Sequence, residues 1–186
     1  MDSFASRNQI VHHEAHLDVM QLVSKVPRIW GEHVATWHHK KVISKPSRWD
    51  PPADGFFKVN CDVAVREDFS VGAAVIKNHK GLIVGACVER FSTVDPEEGE
   101  IRAIQLGLEE ALRCDLSQLV VEGDSLLVIE AIRYFPEQRN WRCHERIGDI
   151  VQMASSFDSC SFSFVYRDAN EEARLLARWA ASVILF

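Results

Sequence analysis

Residues 50–62 read DPPADGFFKVNCD, and the fold turns on how the final residue of that stretch is read. Asp50–Gly55 has the chemistry of a boundary, because two prolines and a glycine end whatever element precedes them. Phe56–Asp62 then carries the apolar content of a strand bound for a core, yet it closes on an acid. Aspartate is depleted in strands and rarely buried without a partner. Asp62 is therefore a strand-end turn former, a residue facing water or a metal ligand. One residue leaves all three open, and the choice rests on which other carboxylates the chain brings to the same place.

Downstream, Ser70–Lys77 and Leu82–Arg90 are rich in Val, Ile and Ala, and Asn78-His79-Lys80-Gly81 between them predicts a hairpin turn. A loop containing Pro96 leads into a helix expected from Glu97 to Cys114. Its buried stripe is Ile101, Ile104, Leu108, Ala111 and Leu112, with Gly107 marking close packing. A strand at Leu119–Glu122 runs through Gly123-Asp124-Ser125 into a helix over 126–135, which Pro136 closes. Residues 141–157 read as helix, Ser161–Tyr166 as strand, and Asn170 opens a last helix. The order β-β-β-α-β-α-α-β-α predicts an α/β fold: a mixed sheet of antiparallel hairpins plus parallel crossovers, flanked by helices.

Upstream, Ile10, Leu17, Met20, Val23 and Val26 recur at helical spacing, predicting an amphipathic helix over 9–26, and residues 27–49 mix Trp, His and Lys without a period. The whole chain holds 21 Lys and Arg against 27 Asp and Glu, which argues against binding phosphate by broad electrostatic attraction. The first fifty residues nevertheless hold 7 basic against 5 acidic groups and six of the eight histidines. This shift divides the chain into an extension, 1–50, and a domain, 51–186. The three histidines of HHEAH (12–16) do not have the HExxH spacing, so exposed helix histidines are expected there rather than zinc ligands. Trp30, Trp37 and Trp49 with Lys40, Lys41, Lys45 and Arg48 have the makings of a base-stacking and phosphate-binding set, but packing of the extension on the domain is the expected use, and Trp141 and Trp179 are expected to lie in a core. The five cysteines form no CxxC pair and suit a reducing compartment. Neither a signal-peptide pattern nor an apolar run of membrane-spanning length is present, so the expectation is an intracellular protein, nuclear or cytoplasmic, with no membrane partner.

Two further carboxylates bear on Asp62. Asp124 lies at a strand-to-helix junction, where open α/β sheets place ligands, and neighbouring first and fourth strands would bring it beside Asp62. Glu100 lies roughly 70° from the centre of its helix's apolar stripe, on the flank that looks along the sheet. Three converging carboxylates repel one another unless a hard cation such as Mg²⁺ neutralises them. Singly, each has an ordinary reading: Asp62 as turn former, Asp124 or Ser125 as helix cap, Glu100 as a solvated helix residue.

The segments PPADGFFKVNCD, VGAAVIKNHKGLIVGA, EGEIRAIQLGLEEAL, LVVEGDSLLVIEAI and VYRDANEEARLLARWA, taken in order over roughly residues 49–184, resemble the plant ribonuclease H-like domain of the reverse-transcriptase-associated, retroelement-derived type. The resemblance implies a five-stranded mixed sheet flanked by helices. It also implies an endonuclease that cuts the RNA strand of RNA–DNA hybrids with Mg²⁺ or Mn²⁺ held by an Asp, Glu, Asp, Asp set. Residue by residue, that set falls on Asp62, Glu100 and Asp124. The fourth carboxylate does not carry over, because where such enzymes read Asn-x-x-Ala-Asp this chain reads Asn170-Glu171-Glu172-Ala173-Arg174. A histidine that assists product release in relatives has no counterpart among Phe164, Val165 and Tyr166.

A guanidinium is permanently charged, so Arg174 repels a cation, and it is expected to pair with Asp62 or Glu171 or to contact a substrate phosphate. Glu171 is expected to complement the helix dipole, with Asn170 as N-cap. Two readings follow: a metal-dependent hydrolase of RNA–DNA hybrids, carried by the three intact carboxylates, or a non-catalytic, retroelement-derived module that binds nucleic acid or a protein, carried by Arg174.

Overall fold

The computed structural model describes residues 48–137 and 143–183. The helix expected over 9–26, the HHEAH histidines, Trp30, Trp37, the lysines at 40, 41 and 45 and Trp141 lie outside the described residues.

Asp50–Gly55 turns as its composition predicts: Phe56 N–H donates to the Ala53 carbonyl at 3.0 Å, and Gly55 takes a φ of +83°, which costs glycine little. Three antiparallel strands follow, β1 (Phe57–Val65), β2 (Ser70–Lys77) and β3 (Ile83–Phe91). In the β2–β3 turn, Asn78 Oδ1 accepts from the Lys80 and Leu82 amides at 2.9 and 3.1 Å, the local bonding that suits asparagine to turns. Helix α1 (Pro96–Arg113) starts where Asp95 Oδ1 accepts from Glu97 N–H at 2.9 Å and proline occupies the first helical position. Then come β4 (Gln118–Gly123), α2 (Leu126–Arg133), α3 (His144–Ala154), β5 (Ser159–Phe164), a 3₁₀ turn (Arg167–Ala169) and α4 (Glu171–Val183).

The sheet order is β3-β2-β1-β4-β5, antiparallel on the β3-β2-β1 side and parallel across β1-β4-β5. This is the expected α/β mixed sheet flanked by helices. Strand alternation sorts its side chains into two cores. On one face Val59, Cys61, Ala74 and Ile76 meet Ile101, Ile104 and Leu108 of α1, with Val128, Ile129, Ile147 and Ile150 of α2 and α3 completing the layer. On the other, Val71, Ala73 and Val75 meet Ala173, Leu176, Ala177, Ala180 and Ala181 of α4. The alanines of α4 let it lie close to the sheet. Among the described residues, no helix is long and apolar enough to cross a membrane.

Several boundaries differ from expectation. β1 does not close at Asp62 but runs to Val65, because its antiparallel ladder with β2 continues through Ala64↔Val71 and Val65↔Ser70. β5 spans Ser159–Phe164 rather than Ser161–Tyr166, since pairing with β4 begins at Gln118↔Ser159 and Tyr166 lies beyond the sheet. Helix α3 stops at Ala154, and Phe157, expected within it, turns into the first core. Leu112, expected in the α1 stripe, is 44% exposed: it stands one residue before the end of the helix, past the buried Leu108 and Ala111.

Candidate active site

The parallel pairing of β1 with β4 ends at Cys61↔Gly123, so Asp62 and Asp124 are the next residues at the same sheet edge. Glu100 arrives from the start of the second turn of α1. The residue before it, Gly99, packs so closely on β1 that a Cβ there would stand 2.9 Å from Val63 Cγ2, and this approach brings the helix start against the strand that carries Asp62. The three carboxylates each offer an oxygen within 4.8 Å of the others. Asp62, Glu100 and Asp124 thus meet although they come from three elements.

Burial and mutual repulsion dominate the electrostatics. The Asp62 carboxyl is pushed up to about 8, first by burial and then by the Asp124 charge, while Arg174 and Arg167 pull it down. Glu100 is raised well above its ordinary value by burial, then by Asp62 and Asp124, with Arg167 again opposing. Such a group favours its proton unless positive charge arrives.

Two guanidiniums stand nearby. Arg174 takes Glu171, one turn back on α4, with Nε donating to Oε2 at 2.6 Å and a second nitrogen in contact with the same oxygen. Of the partners expected for it, Glu171 is therefore the one in contact. Arg167, which sequence reasoning missed, lies on the 3₁₀ turn with Nε 3.3 Å from Asp124 Oδ2; its side chain is 81% exposed, and that of Asp124 only 9%. Ser125 occupies the cap position of α2 without a side-chain cap bond. Tyr166 is exposed and meets Phe164 edge-on at 5.4 Å between centroids.

Behind the carboxylates lies a second feature the sequence reading missed, a buried polar network. Asn60 Nδ2 donates to Glu122 Oε2 at 2.9 Å and to Asn170 Oδ1 at 3.3 Å; Asn170 Nδ2 donates to the Cys61 carbonyl at 2.7 Å; and Lys58 Nζ lies 2.6 Å from Glu122 Oε1. The Trp49 indole closes it, donating to Asn60 Oδ1 at 3.0 Å beneath the Lys77 ammonium, which stands 3.7 Å from the ring centroid. Trp49 thus packs on the sheet, as expected of it. Asn170 stands at the N-cap position of α4, as expected, its backbone carbonyl accepting the first helical bond from Arg174 N–H at 3.1 Å, and its side chain ties the helix start to β1 through the Cys61 carbonyl. The signal for this network was present in the alternation of Lys58, Asn60 and Asp62 with Phe57, Val59 and Cys61, which puts three polar side chains on one face of the strand.

Residues 60–180 match the family model described as reverse transcriptase-like. No curated protein matches the chain. Among solved structures, RNase H1 from the halophilic archaeon Halobacterium salinarum is similar at a TM-score of 0.64 and 22% identity, over 68% of this chain and 98% of that one. The N-terminal RNase H domain of a Mycobacterium tuberculosis protein gives a TM-score of 0.63 at 19% identity, over 68% and 94%. LC11-RNase H1 in complex with an RNA/DNA hybrid gives 0.63 at 17%, over 70% and 99%; LC11-RNase H1 was isolated from compost by a metagenomic approach. At these identities the likeness is one of fold. With a sheet of RNase H-like order and a family model spanning most of its length, the chain belongs to the reverse transcriptase-like family.

Proposed function

We propose that the domain, taken as residues 51–186, is a ribonuclease H-like nuclease that hydrolyses the RNA strand of RNA–DNA hybrids, with a divalent cation, Mg²⁺ or Mn²⁺, held by Asp62, Glu100 and Asp124. The observation that carries this reading is the convergence of those three carboxylates within 4.8 Å at the edge of the sheet. The donor set suits such an ion: three hard oxygen ligands whose burial and mutual repulsion create a need for positive charge. When bound, the cation would supply charge neutralisation and Lewis acidity at a phosphodiester oxygen. Asp62, within β1, and Asp124, just past the end of β4, anchor the site where the β1–β4 pairing stops, and Glu100 closes it from α1. Because Asp62 releases its proton only near pH 8, loading the site displaces a proton and tightens as pH rises through that value. The RNA strand would be selected through its 2′-hydroxyls. The plant and retroelement origin implied by the sequence resemblance, and a nuclear or cytoplasmic setting, belong to the same reading.

A second reading rests on Arg174. A guanidinium in the fourth carboxylate's position opposes cation binding, which favours a catalytically inactive module that keeps the fold and binds nucleic acid or a protein. Hybrids carrying separate labels on the RNA and DNA strands discriminate the two. The proposed nuclease shortens only the RNA label, and EDTA abolishes the reaction. Binding of the hybrid with both labels intact in Mg²⁺ and Mn²⁺ establishes the inactive module.

A further inference from the structure

Three carboxylates and two guanidiniums share the sheet edge, but the guanidiniums are held differently. Arg174 is engaged by Glu171 within its own helix. Arg167 reaches across from the segment after β5 to Asp124. That segment is fixed at both ends: Val165 N–H donates to the Gly123 carbonyl at 3.0 Å, and Asn170 Nδ2 donates to the Cys61 carbonyl at 2.7 Å, with Ala169 buried between. The backbone is therefore anchored directly beside Asp124, while the long side chain that bridges the gap stays largely in water.

With its guanidinium largely in water and only the Asp124 carboxylate shielded, such an ion pair exchanges readily. Its position is what matters, because a cation entering among Asp62, Glu100 and Asp124 must share the Asp124 carboxylate with Arg167. We propose, on the basis of the nuclease reading above, that Arg167 is a tethered counter-cation of the carboxylate cluster. A divalent cation displaces it from Asp124, and the released guanidinium then takes a phosphate of the nucleic-acid strand lying over the site. The opposing pull of Arg167 on both Asp62 and Glu100 agrees with this placement. Guanidinium geometry suits the second partner as well as the first, since carboxylate and phosphate both accept its paired N–H donors.

The test is calorimetric titration of MnCl₂ into the full chain at low salt and pH 8, comparing the unmodified protein with Arg167→Gln and Arg167→Lys. A fluorescent RNA–DNA hybrid is then titrated in Mn²⁺ and in EDTA, with anisotropy recorded immediately on mixing. The side chain's exposure makes both variants compatible with the fold. Removing the competing charge is expected to tighten Mn²⁺ binding roughly two- to tenfold in Arg167→Gln, while Arg167→Lys stays near the unmodified value. Hybrid affinity of Arg167→Gln is expected to fall in Mn²⁺ but not in EDTA. Mn²⁺ binding by Arg167→Gln alone supports the proposal in its strongest form. Equal Mn²⁺ affinity in Arg167→Gln and the unmodified protein overturns the proposal and leaves the nuclease reading standing. No Mn²⁺ binding by any of the three proteins overturns both. Hybrid binding unchanged by Arg167→Gln in Mn²⁺ overturns the transfer to phosphate.

Discussion

In the unfolded chain Asp62 titrates near its ordinary 3.8, whereas burial and Asp124 push it up to about 8 in the folded protein. Between those values the folded state holds a proton that the unfolded state has lost, so the contribution of Asp62 to stability, complete below 3.8, is lost as pH rises toward 8. The metal-free protein is therefore expected to melt at progressively lower temperature across that window. Asp62→Asn should flatten the slope and raise the melting temperature at pH 8 by roughly 2–8 °C, corresponding to ~1–2 kcal/mol; scanning calorimetry in EDTA from pH 4 to 9 checks this. Arg174 acts from the other side, since its charge opposes a cation and it also engages Glu171. Arg174→Asp is expected to tighten Mn²⁺ binding by about tenfold, or ~1.4 kcal/mol, measured by titration calorimetry. At this scale the sequence was legible where function left an unusual residue in a regular pattern. Asp62 stood out in an apolar strand, and Asp124 marked a strand-to-helix junction. Arg167 had no such signal, because its partner, Asp124, lies on another element and an arginine in a loop reads as solvated surface.

Helix α1 positions Glu100 only because two glycines let it approach the sheet. At Gly107 an added Cβ would lie 2.8 Å from Val59 Cγ1, 2.9 Å from Cys61 Sγ and 3.1 Å from Ala74 Cβ. Alanine favours a helix over glycine by ~1 kcal/mol, but overpacking against buried strand side chains costs about 1–3 kcal/mol. Gly107→Ala is therefore expected to destabilise by roughly 1–2 kcal/mol in urea unfolding, against the direction of helix propensity. Asn170 holds α4 to β1 in the opposite layer. Asn170→Ala leaves the Cys61 carbonyl without that donor and should cost about 1–3 kcal/mol by the same measurement. Element types and order were legible from periodicity, with β5 displaced by two residues and α3 ending three residues early. Boundaries escaped because they are set by partners: β1 outlasts Asp62 on account of β2, and β5 starts where β4 does. Asn170 illustrates the same point, since the local rule gave its place at the helix start but not its long-range bond to the Cys61 carbonyl.

The molecule as a whole places a five-stranded sheet between α4 on one face and α1, α2 and α3 on the other, and its functional edge is where the β1–β4 ladder stops and the β1–β2 ladder continues. This topology was readable because three consecutive strands followed by strand-helix alternation admit few arrangements with right-handed crossovers. The juxtaposition of Asp62 with Asp124 depended on β1 and β4 being neighbours, a pairing across 62 residues of sequence that the order of elements allowed but did not state. Asp124→Asn is nearly isosteric and lies at that junction, so it removes one ligand while sparing the fold. The central claim is tested most directly by the initial rate at which the unmodified protein and Asp124→Asn cleave the RNA strand of a hybrid in Mg²⁺ and in Mn²⁺. The carboxylate site predicts cleavage by the unmodified protein and a loss of roughly 10²-fold or more in the variant with either ion. Equal rates in the two proteins, or binding of the hybrid without cleavage by the unmodified chain, would contradict it.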